Sequence, residues 1–292
     1  MRIERIEVRF VEAKLDEPFG WSQRWTDVRS VIVLKVTTDD GIVGWGETYG
    51  SQDSVQGIAT VAQIAIGEDP SHIGKIWHKL HRAVYQSHVF AKGGANAISA
   101  LDTALYDITG KSSGKPAAEI LGGRIHDSIP VYATGLYYVD NYALAPLLEE
   151  ASGYVEQGFS GMKMKVGAMS LAEDAERIKK TREAIGENVK LMFDANESYD
   201  PSTALTFANM VADHDLTWFE EPCASRDDQA NKIVQERSPI PISGGESLST
   251  RWEFAPRLAN RTFDIIQPDI CGVGGPSEMH KVGLMSQAFG VK

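Results

Sequence analysis

The chain has 292 residues, 42% of them hydrophobic and 24% charged, which is the composition of a globular protein with a substantial core. Its 40 acidic residues outnumber its 29 basic residues, and the net charge of −11 argues against nucleic acid or an anionic membrane surface as a partner. Cys223 and Cys271 are far apart and form no disulfide or zinc pattern. Because the sequence also lacks an apolar leader and any run of about 18 apolar residues, we expect a cytoplasmic protein.

The first third of the chain alternates strand patterns with helix patterns. An Asp-Gly pair, Asp40-Gly41, lies between two strand-like runs and predicts a β-hairpin. The predicted strands are 3–10, 31–37 and 42–47, and apolar residues at helical spacing predict helices over 54–66, 73–86 and 95–110. We therefore expect an antiparallel α+β domain over residues 1–125.

From residue 126 onward, apolar strand-like runs alternate regularly with helix-compatible stretches. The runs are 129–135, 161–166, 189–195, 216–221, 240–246 and 263–269. Such alternation predicts parallel strands with right-handed crossovers, either as a doubly wound sheet or as a (β/α)₈ barrel. We expect residues 126–292 to form this second domain.

Carboxylates at a constant spacing favour the barrel. Asp194, Glu220 and Glu246 each close an apolar run, and consecutive members are 26 residues apart. In a barrel the carboxyl ends of all strands share one face, so these side chains would converge there. Three converging carboxylates favour a hard divalent cation such as Mg²⁺.

Several motifs together resemble the enolase superfamily, and within it the mandelate racemase group. They are Lys163-Met164-Lys165, Asp194-Ala195-Asn196, Glu220-Glu221-Pro222, Gly245-Glu246 and Gln267-Pro268-Asp269, preceded by Asp39 to Glu47 and by Ala97 to Gly123. The motifs cover nearly the whole chain, in the order that the family has them. The resemblance implies an α/β fold of the (β/α)₈ TIM-barrel type with an N-terminal α+β capping domain.

The resemblance also implies a chemistry and its residues. Members of the group remove the proton beside a carboxylate, through an enediolate that a cation stabilises. In this superfamily one or two Mg²⁺ ions act together with a Lys or His base. By resemblance, Asp194, Glu220 and Glu246 hold one Mg²⁺ per site, with Mn²⁺ as the alternative metal. Lys165 is then the base, Lys163 lowers its pKa and contacts the substrate carboxylate, and Asn196 hydrogen-bonds the substrate.

Asp269 follows the sixth predicted strand, and in the family this residue orients a catalytic histidine at the end of the seventh strand. Here the sequence stops near the expected start of that strand, at Gly290 to Lys292. We therefore expect a barrel truncated after about six units, which is either a fragment of a longer gene or a chain that forms a homo-oligomer to cover the open edges. A truncated, catalytically silent product is the alternative to an active enzyme.

By resemblance to the family, the stretch Phe19 to Trp25 is a substrate loop that closes over the barrel mouth. Gln23 and Arg24 offer hydrogen bonds and Trp25 an aromatic wall, which suits a hydroxylated carboxylate. The whole sequence is similar to sugar-acid dehydratases and galactarolactone cycloisomerase-like members. A lyase or isomerase acting on a sugar acid is therefore expected, with a racemase or epimerase of another carboxylate as the alternative.

Overall fold

The computed structural model describes residues 1–22, 24–86, 93–139 and 142–292. These residues form one antiparallel sheet of three strands and one parallel sheet of six. The antiparallel sheet has the order β1-β2-β3, with strands Ile3–Trp21 (β1), Arg24–Thr38 (β2) and Val43–Thr48 (β3). The predicted Asp40-Gly41 turn joins β2 to β3, and its glycine has a φ of 86°, in the left-handed region that side chains disfavour.

Four helices follow β3 and cover one face of this sheet: Val55–Ala62 (α1), Ile73–Gln86 (α2), Gly94–Ser113 (α3) and Ala117–Ile120 (α4). Alternate residues of β2, Ile32, Leu34 and Val36, are fully buried against them, as the period-two pattern requires. Two glycines of β3 allow α3 to pack closely, because a Cβ atom at Gly44 or Gly46 would overlap the backbone of α3. The predicted α+β architecture of this part is confirmed.

The parallel sheet has its six strands in strictly sequential order, β4 to β9. The strands are Ala133–Thr134 (β4), Gly161–Lys165 (β5), Lys190–Asp194 (β6), Leu216–Glu220 (β7), Ile242–Gly244 (β8) and Ile265–Ile266 (β9). The helices that alternate with them are Leu144–Glu156 (α5), Leu171–Ile185 (α6), Pro201–Met210 (α7), Asp228–Arg237 (α8), Thr250–Asn260 (α9) and Pro276–Phe289 (α10). A doubly wound sheet reverses its strand order at a switch point, and this sheet does not. The α/β class is confirmed, and closure into a barrel stays a prediction.

Strand lengths differ from the expectation in both sheets. Residues 129–132 lie outside the sheet and the first parallel strand keeps only two residues, since Ile129 and Val131 have no buried face to pack on and are exposed. The hairpin β1-β2 is much longer than predicted, because its tip is held by the rest of the protein: Gly20 and Tyr138 exchange two backbone hydrogen bonds of 2.7 and 2.9 Å. The described residues of the stretch 19–25, expected as a loop, therefore lie at the tip of a β-ribbon.

The two sheets are joined by buried polar contacts. The indole of Trp77 in α2 donates to the backbone oxygen of Gly274, at 2.9 Å. The carboxylate of Asp102 in α3 accepts from the backbone and hydroxyl of Ser277, in the first turn of α10. At the hairpin tip, the buried hydroxyl of Ser22 lies within hydrogen-bond distance of two backbone oxygens that follow β5 and β6.

Among the helices in the described ranges, none combines the length and apolar character needed to cross a bilayer.

Candidate active site

The register of the parallel sheet brings the predicted site residues together. Lys165 at the end of β5 is paired with Asp194 at the end of β6, and Asp194 is paired with Glu220 at the end of β7. The apolar residues that precede them in each strand, such as Met164, Phe193 and Phe219, are completely buried. The core therefore fixes the strands, and the polar side chains project from one edge of the sheet.

Two lysines share one carboxylate oxygen at this edge. The Nζ of Lys165 lies 2.5 Å from Oδ2 of Asp194, and the Nζ of Lys163 lies 3.4 Å from the same atom. Lys163 also contacts Oε1 of Glu220 at 2.5 Å. All four side chains are at least nine-tenths buried, so these ion pairs are little screened by solvent.

The neighbouring residues hold these groups in place. Asn196 accepts a hydrogen bond from Nζ of Lys165 at 2.9 Å, while its backbone N–H donates to Oδ1 of Asp194. Oε2 of Glu220 accepts from the Gln267 amide at 2.7 Å and from the Trp218 indole at 3.1 Å. Asn196 itself has a φ of 42°, a conformation that is uncommon outside glycine and clusters at functional sites.

The electrostatics of the cluster follow from this geometry. Burial alone would lower the pKa of Lys163, but the charges of Glu220 and Asp194 outweigh it and raise that pKa above its ordinary value. Burial would raise the pKa of Asp194, but the two ammonium groups beside it hold that pKa below its usual range. Lys163 and Asp194 are therefore charged at neutral pH.

Two further carboxylates face the cluster without a cation of their own. Oε1 of Glu221 is buried without a hydrogen-bond partner among the described residues, and burial, followed by the charge of Glu246, raises its pKa to about 9. Glu246 is open to the solvent of the adjoining cavity, yet desolvation by the surrounding protein, followed by the charges of Asp194 and Glu220, raises its pKa as well. Four carboxylates thus face two ammonium groups.

This imbalance suits a divalent cation. Within the described ranges, no three His, Cys, Asp or Glu side chains are gathered closely enough to hold a metal ion. The expected trio of Asp194, Glu220 and Glu246 is not assembled, because Lys163 and Lys165 occupy the oxygens of the first two. The oxygen donors and the unbalanced negative charge nevertheless fit Mg²⁺ better than a softer metal.

Asp269 lies on the opposite side of the same opening. Its Oδ2 accepts a hydrogen bond of 2.7 Å from the hydroxyl of Tyr49, which follows β3. Its Oδ1 accepts from the backbone N–H of Cys271 at 2.7 Å. Burial, followed by the hydrogen bond and charge of Asp269, raises the pKa of Tyr49 above its ordinary value. Tyr49 is therefore a neutral hydrogen-bond donor to Asp269.

A cavity of about 590 Å³ opens above the cluster and is lined by both sheets. Lys163, Lys165, Asn196, Glu246 and Asp269 line its floor and sides. The predicted substrate loop contributes to it through Trp21. Of the residues predicted there, Gln23 lies outside the described residues.

Arg24 and Trp25 take other positions. Arg24 lines an adjoining cavity of about 430 Å³, together with Glu197, Glu221 and Glu246. Trp25 is not among the residues that line either cavity; its ring packs edge-on against Tyr142, with 5.9 Å between centroids. An indole placed there forms no wall for a substrate beside Lys165.

Sequence reasoning missed several residues that line the main cavity. Tyr49 and Tyr137 come from connecting segments with no strand-end pattern, Asn96 lies in the first turn of α3, and Arg29 lies on β2 just beyond the predicted loop. The period-two alternation of side chains along a strand could have placed Arg29 on the face of the hairpin that meets the cavity. Using it would have required a prediction that the hairpin extends as far as Arg29.

Comparison with known proteins assigns the family. Residues 5–122 match the family described as "Mandelate racemase / muconate lactonizing enzyme, N-terminal domain", and residues 146–292 match "Enolase C-terminal domain-like". The chain belongs to the mandelate racemase group of the enolase superfamily. The resemblance read from the sequence motifs is thereby confirmed.

Members of this group that resemble the chain are enzymes. It is 35% identical to D-galactarolactone cycloisomerase of Agrobacterium fabrum, over 100% of this chain and 77% of that protein. It is 37% identical to arabinonate dehydratase of Saccharolobus solfataricus, over 89% of this chain and 70% of that protein. Among solved structures, a racemase from Streptomyces coelicolor with bound magnesium superimposes with a TM-score of 0.90 at 29% identity, covering 99% of this chain and 82% of that one. These relatives are lyases and isomerases, and a divalent metal is part of the group's chemistry.

Proposed function

We propose that this chain catalyses the Mg²⁺-dependent removal of the proton beside the carboxylate of a sugar acid, leading to dehydration or cycloisomerisation. One observation carries the proposal: Lys163 and Lys165 meet at a single carboxylate oxygen of Asp194, on the floor of a cavity that Glu246 and Asp269 also line. A pair of cations beside a set of carboxylates is suited to binding and enolising a carboxylate. The relatives named above support a sugar acid as the substrate class.

The roles of the side chains follow from their positions. Lys165 is the proposed base, because its Nζ lies at the cavity between Asp194 and Asn196, where its neutral amine form would receive the proton from the substrate carbon and become an ammonium group. Lys163 keeps its proton, since the adjacent carboxylates raise its pKa, and it can therefore donate to a substrate carboxylate oxygen. Asn196 can donate from its amide nitrogen while its oxygen holds Lys165.

Asp194, Glu220 and Glu246 are the residues proposed to hold Mg²⁺. When bound, Mg²⁺ supplies positive charge that stabilises the negative charge developing on the substrate carboxylate. Gln267 and Trp218 orient Glu220 through its second oxygen, and so fix the direction of its carboxylate. Tyr49 and Asp269 form a hydrogen-bonded pair on the other side of the cavity, where they can contact the substrate hydroxyls.

Proton exchange at the substrate carbon tests the proposal most directly. A panel of sugar acids is incubated with the protein in D₂O containing Mg²⁺ and followed by ¹H NMR. We expect at least one acid to lose the signal of its α-proton or to be converted to product. Loss of water, ring formation or opening, and inversion give different spectra, so the same experiment assigns the overall reaction.

Two lysine variants provide the matched comparison. Lys165→Ala removes the proposed base, and we expect exchange to fall by at least about a hundredfold. Lys190→Ala removes an exposed lysine at the other end of the adjacent strand β6, and exchange should be retained. If no acid in the panel reacts with the unmodified protein, or if both variants retain full exchange, the proposed function is wrong.

A further inference from the structure

The hairpin contributes one cation to the main cavity. Arg29 of β2 lines the cavity whose floor is formed by Lys163 and Lys165. Its side chain is exposed to solvent, and among the described residues it forms no ion pair and no hydrogen bond. Neither burial nor an ion pair nor a hydrogen bond of its side chain therefore explains the position of Arg29.

A continuous series of aromatic rings connects Arg29 to the proposed base. The guanidinium carbon of Arg29 lies 4.6 Å from the ring centroid of Phe19. The ring of Phe19 lies 4.5 Å from that of Tyr137, and Nζ of Lys165 lies 5.6 Å from the Tyr137 ring. The Phe19 ring holds the guanidinium by cation–π contact on the hairpin side of the cavity. Arg29 and Lys165 are thus two separate cationic positions that line one cavity.

The second arginine of the hairpin has different surroundings. Arg24 faces a cavity that three carboxylates also line, namely Glu197, Glu221 and Glu246. An anion would be repelled there, and Arg24 is better placed to balance those charges. The cavity of Arg29 is lined by two carboxylates, Glu246 and Asp269, and among the described residues neither forms an ion pair with Arg29. Of the two arginines, Arg29 therefore shares its cavity with fewer carboxylates and is better placed to meet an anion.

We propose that Arg29 binds a second carboxylate at the far end of the substrate, so that the site selects sugar acids with a carboxylate at both ends. This inference rests on the proposed function, because it assumes that the first carboxylate is bound near Lys163 and Lys165. A guanidinium presents two parallel N–H donors that match the two oxygens of a carboxylate, and an alcohol at the same carbon cannot accept both in that geometry. The cation–π contact with Phe19 already restrains the guanidinium, so less order is lost on binding.

Matched pairs of acids give the test. Galactarate and galactonate differ only in whether the terminal carbon is a carboxylate or an alcohol, and the glucarate/gluconate and mannarate/mannonate pairs differ in the same way. Dissociation constants are measured by isothermal titration calorimetry with the Mg²⁺-loaded protein. We expect at least one dicarboxylate to bind about tenfold more tightly than its partner, which is the size expected for one charge-assisted bidentate contact at a solvent-exposed site.

Three variants assign the preference to the residue. Arg29→Gln should weaken the binding of the dicarboxylate about tenfold and leave the binding of the matched monocarboxylate unchanged. Arg29→Lys should restore part of the difference between the two affinities, because lysine keeps the charge without the paired donors. Arg9→Gln removes an exposed arginine of the same sheet whose side chain, among the described residues, hydrogen-bonds to the Val8 backbone and does not line the cavity, and this variant should leave the preference intact.

The inference is overturned if no dicarboxylate binds, if the unmodified protein binds both members of every pair equally, or if Arg29→Gln retains the preference. Failure of the proposed function gives a different result, since it abolishes proton exchange with every acid whatever the binding ratio. If the protein catalyses proton exchange in both members of a pair and binds both with the same affinity, the proposed function is supported and the inference about Arg29 is contradicted.

Discussion

The buried carboxylate of Asp102 should make the stability of the protein depend on pH. Asp102 is only 1% exposed at the junction of α3 and α10, where it accepts hydrogen bonds from the Ser277 backbone at 2.8 Å and from its hydroxyl at 2.9 Å. Burial outweighs these two bonds and raises the pKa of Asp102 from 3.8 to about 7. The folded protein therefore holds a proton on Asp102 under conditions in which the unfolded chain has released it.

The sign and size of the effect follow from linkage. Because the pKa of Asp102 is higher in the folded state than in the unfolded state, its contribution to stability is fully present below about pH 4 and is lost as the pH rises to about 7. A shift of about three units corresponds to about 4 kcal/mol in the free energy of unfolding. Above pH 7 both states are ionised, and the contribution no longer changes.

Asp102→Asn isolates this contribution. The amide oxygen can still accept from the Ser277 backbone and the amide nitrogen can donate to the Ser277 hydroxyl, so the junction stays hydrogen-bonded without an ionisable group. We expect the free energy of unfolding of the unmodified protein, minus that of the variant, to fall by up to about 4 kcal/mol between pH 4 and pH 8. Urea unfolding followed by tryptophan fluorescence at several pH values measures both, and the subtraction removes the effect of every other group. A difference that stays constant over this pH range would refute the reasoning.

Three further predictions concern the rim of the cavity. Ser22→Ala removes the hydroxyl that contacts two backbone oxygens, at 2.7 and 3.0 Å. This variant should have a free energy of unfolding about 1 kcal/mol lower, measured by urea unfolding, and a higher KM, measured by steady-state kinetics. An unchanged free energy of unfolding together with an unchanged KM would contradict the prediction. Glu246→Gln should reduce the rise in Tm that Mg²⁺ causes, as measured by differential scanning fluorimetry. The control Glu4→Gln, on the exposed part of β1, should show the same rise as the unmodified protein. An equal rise in the two variants would argue against Glu246 as a ligand. Tyr49→Phe removes the 2.7 Å hydrogen bond to Asp269 and should lower kcat about tenfold with little change in Tm, so a variant with full activity would exclude a role for this pair.

Residues at strand ends could be predicted from the sequence because two regular patterns coincided there. The apolar runs marked the strands, and the spacing of the ionisable residues marked the edge at which Lys165, Asp194 and Glu220 now lie side by side in register. The contacts between Lys163, Lys165 and the carboxylates could not be foreseen, since sequence spacing does not say which oxygen each ammonium group takes.

The hairpin tip was harder to predict for a physical reason. Residues 11–16 of β1 alternate apolar and polar side chains as a strand does, but Val11 and Ala13 are exposed rather than buried in a core, and Glu17-Pro18 interrupts the alternation before the tip. Their pairing with β2 is maintained by distant contacts at the tip, through Gly20 and Ser22, and contacts of that kind leave no local sequence signal. The position of Arg29 depends on the same pairing, and for that reason it could not be identified from the sequence.

The hairpin β1-β2 contributes to core packing at its base and to the cavity at its tip. Its base, with Ile6, Val8 and Leu34, is part of the apolar core, whereas its tip reaches the cavity and has few buried apolar side chains. Substitutions near the tip can therefore accumulate without opening voids in the core, and those at cavity-lining positions such as Trp21 and Arg29 change a surface that faces the proposed substrate. Randomising the tip alone should yield libraries in which most members still fold, and this makes the hairpin the natural place to redirect the enzyme toward new acids.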